Sequence, residues 1–138
     1  CMSRNNDIHE FNPVIYPFRL WVGINPSFGS VSERFYTLTP SMERIDFTRD
    51  IYHGSRFAIA STFPVCDKVG GWIGTFIPIY RPSMLTVGTI AHEASHCTDF
   101  MCAQFGVAGF NFNDGEARAY FTEWVANCIN KVKMGKLK

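Results

Sequence analysis

Residue spacing along this chain changes period once, at Arg81-Pro82, and that change limits what it can fold into. Before it, apolar residues come in short runs rich in Val, Ile, Tyr, Phe and Trp, closed by Pro, Asn or Gly, which is the chemistry of strands. After it, Val87, Ile90, Ala91, Ala94, Thr98, Met101 and Phe105 recur every three or four residues, one face of a helix that Gly106 would end. A second stripe, Ala117, Phe121, Trp124, Val125, Cys128, Ile129 and Val132, follows Asn113 or Asp114 as a cap. The expected class is α+β: a small, mostly antiparallel N-terminal sheet, then two late helices.

In the first part, strands are expected over 14–24, 28–38, 56–63 and 72–80. A helix is expected over 42–52, capped at Pro40-Ser41. No repeat or linker divides the 138 residues, so one domain spans 1–138. With 46% hydrophobic and 18% charged residues, disorder is excluded. Thirteen Lys and Arg against 12 Asp and Glu leave a net charge of +1, so no strong field points at nucleic acid or anionic lipid. Lys131, Lys133, Lys136 and Lys138 read as a solvated helix end. The uncharged stretch between Lys68 and Arg81 is too short to cross a membrane. The first residues lack an apolar leader. Five cysteines, an odd number without a CxxC pair, read as free thiols in a reducing compartment. A cytoplasmic protein with no nucleic-acid or membrane partner is expected.

The segment that carries chemistry is His92-Glu93-Ala94-Ser95-His96, inside the first long helix. Two residues four apart lie about 40° apart around a helix and about 6 Å along it, so both imidazoles can grip one Zn²⁺ from the same side. Glu93 is then placed to take a proton from water at the metal rather than to bind it. With four His and six Glu in the chain, chance gives only about 0.005 matches to this pattern. On a helical wheel the two histidines fall at about 140° and 180° from the apolar stripe, which suits a cleft better than a core.

A catalytic zinc takes three protein ligands and keeps one position open. The extension to HxxGxxH fails here, because Asp99 and Cys102 stand at those places. His9 and His53 are isolated upstream. A glutamate from the second helix remains. Glu116 is the expected third ligand, coming at the helix start after a loop long enough to turn the chain back. Glu123, seven residues on and on the same face, and Asp99 stay as alternatives. Asn113 and Glu116 also have the spacing of a capping box.

Taken together, His92-Glu93-x-x-His96 and Glu116-Ala117-Arg118-Ala119-Tyr120 resemble the zincin metallopeptidases of the gluzincin type, in their minimal single-domain form. The likeness covers roughly residues 55–130, and short proteins of this kind also occur in bacteriophage genomes. It implies a zincin-like fold with Zn²⁺ on His92, His96 and Glu116, Glu93 as general base, and a peptide or protein as substrate. It also implies that strand 72–80 or its neighbour 56–63 lies along the cleft, with Ala58 to Thr62 as an edge for strand addition. The chain departs from larger relatives at Tyr120, where they often carry an acidic residue supporting a ligand histidine; Asp99 is the substitute considered. For the oxyanion helper, the candidates are Tyr52, His53, Arg56, Tyr80 and Tyr120. The rival expectation is a zincin-fold protein that binds zinc and a partner without cleaving.

Overall fold

The computed structural model describes residues 8–14, 16–54, 57–105 and 112–135. Six strands form one sheet: β1 (Ile8–Phe11), β2 (Arg19–Ile24), β3 (Phe35–Leu38), β4 (Arg44–Asp46), β5 (Phe63–Asp67) and β6 (Ile73–Ile79). Their order is β1-β2-β6-β5-β3-β4. Neighbours run antiparallel except β2 and β6, which are parallel from Arg19 beside Gly74 to Ile24 beside Ile79. The helices are α1 (Phe28–Arg34), α2 (Arg49–Tyr52), α3 (Val87–Phe105) and α4 (Phe112–Met134). The α+β class with a mostly antiparallel sheet is the one the sequence points to.

Alternation splits the core into two layers. Leu20, Val22, Ile77 and Ile79 face α3 and α4, meeting Ile90, Ala94, Cys97 and Met101 of α3 and Phe121, Val125 and Ile129 of α4. Trp21 and Phe76, one residue out of phase, face the other way and pack with Val31, Phe35, Phe47, Tyr52 and Val65. The Trp21 indole is not left unsatisfied: its Nε1 donates to Glu10 Oε1 at 3.0 Å. The strands at the sheet centre approach closely at one glycine. A Cβ on Gly74 would stand 1.8 Å from the Arg19 carbonyl oxygen, so only glycine lets β2 and β6 pair there.

Four local expectations are corrected. Residues 28–34 are helical, because Ser27 caps the turn by accepting from the Ser30 N–H at 3.2 Å. Val31 and Phe35 fit both periods, whereas Phe28 shares a face with Val31 only in a helix. The helix expected over 42–52 shrinks to α2. Met42 takes a φ of 68°, which no helix can run through, and the cap is Thr48, accepting from Ile51 N–H at 3.1 Å. The first expected strand begins late, at Arg19, while β1 precedes it. The third shifts forward through Pro64 into β5: the ladder with β3 starts only at Val65, so the missing proline N–H breaks no bond. The strand at 72–80 and the helix over 87–105 stand where expected. Asn113, Asp114 and Gly106, the expected helix ends, lie outside the described side chains. No helix among the described residues is long and apolar enough to cross a membrane.

Candidate active site

The helix that carries the histidines is anchored on three sides. Thr86 caps its start, accepting from Thr89 N–H at 3.2 Å. Beneath, Cys97 Sγ lies 2.8 Å from Thr75 Oγ1 of β6, and burial pushes this thiol up to about 12, which makes it an inert packing group. Beside it, α4 runs antiparallel: Thr98 meets Thr122 at 2.7 Å, Asp99 pairs with Arg118, and Lys133 Nζ donates to the Leu85 carbonyl at 2.7 Å.

What these anchors leave exposed is the His92–His96 edge. The two Nε2 atoms face each other at 3.2 Å, with the rings nearly perpendicular. Two nitrogens bound at 2.0–2.1 Å to one tetrahedral zinc stand about 3.3–3.4 Å apart, so the pair already has the bite of a two-histidine zinc grip. Their neighbour Glu93 lines the same hollows as His92 and is buried at 6% exposure. Its Oε1 accepts from Thr62 Oγ1 at 2.6 Å.

Two hollows open on this edge and share Ala60, His92 and Glu93. One, about 540 Å³, continues past Thr62, Phe63, His96 and Phe100; the other, about 450 Å³, past Phe57, Ile59, Thr86 and Thr89. Their common wall is the segment leading into β5. It continues that strand against the end of β6: Ala60 bridges Ile79, Ser61 N–H donates to the Pro78 carbonyl at 3.2 Å, and Tyr80 N–H to the Ile59 carbonyl at 2.8 Å. β3 pairs with β5 only from Val65 onward, so among the described residues no strand covers the outer side of 58–62. By alternation, the hydrogen-bonding groups of Ala60 and Thr62 turn away from β6. β5 itself is internal, so the expected free edge exists only in this lead-in.

Glu116 and Glu123 do not join the histidines. Both are exposed on α4, and among the described residues no three His, Cys, Asp or Glu side chains gather into a group able to hold a metal ion. The reason is register. The two cross-links between the helices, with that from Lys133 to Leu85 just ahead of α3, set Glu123 level with Ser95 and His96, and Glu116 level with Cys102. That puts Glu116 about 9 Å beyond His96 along the axis. Asp99 is taken by Arg118 rather than by a histidine.

Of the oxyanion candidates, Tyr52 is buried with its hydroxyl on the Pro26 carbonyl at 2.6 Å. Tyr120 lines a separate hollow with Pro13, Tyr16 and Trp124, and His53 is exposed with its ring tilted against Tyr52. Arg56 lies outside the described residues. Tyr80 stands within the field of Glu93; burial foremost, opposed by a Ser61 hydrogen bond and aided by that carboxylate, pushes its phenol up to about 12. Sequence reasoning held Thr62 only as part of a strand edge and missed its side-chain contact with Glu93; Thr75 it missed altogether. A threonine in a strand carries no signal of the partner that the fold will bring to it. No protein-family model matches the chain, and no curated protein and no solved structure shows significant similarity to it.

Proposed function

We propose that this chain is a zinc-dependent peptidase of the gluzincin kind, with its cleft between α3 and the Ala58–Thr62 lead-in. The observation that carries the reading is the pair of exposed Nε2 atoms at 3.2 Å beside a buried carboxylate in the same cleft wall. Two neutral imidazoles on one helix face would hold the metal; a carboxylate of α4, Glu116 or Glu123, would complete the set only after leaving the exposed position it has here. A bound zinc ion supplies a Lewis acid and makes an attached water acidic near neutral pH. The chain does the rest. Glu93 takes the proton of the attacking water on a carboxylate oxygen and returns it to the leaving amine. The outward N–H and C=O groups of Ala60 and Thr62 pair with an extended peptide and hold its carbonyl over the histidines.

Bound metal per chain, read by elemental mass spectrometry, tests this directly. We expect about one zinc in the wild type, none in His92→Ala or His96→Ala, and loss in one of Glu116→Ala and Glu123→Ala. A peptide library should then be cleaved by the zinc form and spared by Glu93→Gln. A non-cleaving zinc protein is the second reading, favoured by Tyr80, whose hydroxyl is already committed to the Tyr52 carbonyl at 2.5 Å. Zinc retention without turnover in the wild type would select it.

A further inference from the structure

We propose that Thr62 is a positioning residue for Glu93, fixing which of its carboxylate oxygens faces the cleft. The inference rests on the peptidase reading above. Glu93 is the one ionisable side chain among the buried described residues whose polar group lines the cleft. A buried carboxylate needs a partner, and a structural one is best served by Lys or Arg. Among the described residues no Lys or Arg lines either hollow. The partner is a neutral hydroxyl, which holds the group in place by a single directed hydrogen bond.

The hydroxyl is itself well held. Thr62 sits one residue after Ser61, whose N–H is bound to β6, and two after Ala60, which bridges Ile79. Its β-branch restricts χ1, so backbone placement fixes the oxygen. Thr62 Oγ1 lies 2.6 Å from Glu93 Oε1 and 3.3 Å from the Glu93 backbone carbonyl. It has one hydrogen, and the shorter contact takes it. Among the described residues no other donor bonds the carboxylate. One oxygen is therefore pinned to the sheet, and the other is left for the cleft. Glutamate has three rotatable side-chain bonds, so without that pin the base would sample several orientations.

The test compares Thr62→Val, which keeps the shape and loses the donor, with Thr62→Ala and with Thr62→Ser, which keeps the donor. In the full chain loaded with zinc, Thr62→Val and Thr62→Ala should lower kcat about 10- to 100-fold, with KM and bound zinc unchanged, and Thr62→Ser should recover most of it. Equal losses in all three, or none in Thr62→Val, would overturn the proposal. A second readout needs no turnover: the Glu93 side-chain carboxyl carbon in ¹³C-glutamate-labelled protein, assigned with Glu93→Gln. One sharp line is expected in the wild type and Thr62→Ser, broadened or displaced in Thr62→Val and Thr62→Ala. An unchanged line in both would overturn the positioning role even if the wild type cleaves nothing, the outcome that defeats the peptidase reading by itself.

Discussion

The Tyr80 hydroxyl donates to the Tyr52 backbone carbonyl at 2.5 Å, tying the end of β6 to α2 across the aromatic layer of the core. Tyr52 reciprocates in kind, its own hydroxyl closing on Pro26. Both phenols are held neutral by burial, Tyr80 up to about 12 and Tyr52 higher still, with the Tyr80 charge adding to the latter.

This pair makes the fold sensitive to alkali. A phenol whose folded pKa lies above its unfolded value of 10.0 contributes stability that is intact below pH 10 and drains away as pH rises toward 12. Cys128, pushed by burial from 9.0 to about 11, begins the loss one unit earlier. Unfolding free energy from urea titrations should be flat to about pH 9, then fall by up to about 1.4 kcal/mol per pH unit for each titrating group. Tyr80→Phe should flatten the upper part of that curve; an unaltered slope would remove Tyr80 from the account.

Gly74→Ala should be among the most damaging single methyl additions in the chain. The new Cβ meets the Arg19 carbonyl at 1.8 Å, and that atom belongs to a buried parallel strand pair. Either β2 and β6 part or the variant fails to fold, at about 3 kcal/mol or more. A melting temperature within a degree or two of the wild type would contradict the close approach.

Asp99→Ala should be nearly silent in stability. Its partner Arg118 is close, but the Asp99 side chain is 62% exposed, and screened pairs of this sort contribute about 0–1 kcal/mol. Urea midpoints in low and high salt are the check, with any difference from wild type shrinking in salt.

Glu93→Gln separates chemistry from binding. It should retain zinc and the fold, because the amide oxygen can still accept from Thr62. Peptide turnover should drop about 10²- to 10⁴-fold, the contribution of a positioned base. Metal content and cleavage rate on the same preparation decide it; parallel loss of both would make Glu93 a structural or ligating group instead.

Elements whose signal is local were readable in advance. The spacing of Val87 to Phe105 gave α3, and the four-residue step from His92 to His96 gave their shared face, since both follow from helix geometry alone. Trp72 to Tyr80, bounded by Gly and Pro, stands as β6 with only its ends trimmed. Residues 28–34 failed because Val31 and Phe35 satisfy two periods, and only the Ser27 cap and the packing of Val31 with Trp21 choose between them.

The sequence by itself determined that a helix presents two imidazoles side by side with a glutamate between them. It could not determine what lies across from that edge. That Thr62, 31 residues earlier, holds Glu93 is a product of how β5 pairs with β6 and how α3 crosses them. The height of Glu116 and Glu123 beside the histidines is likewise set by contacts between α3 and α4, not by their distance along the chain. Helix periodicity is a property of adjacent residues. Register between elements is decided by the side chains that meet when they pack, and those meetings exist only in the folded molecule.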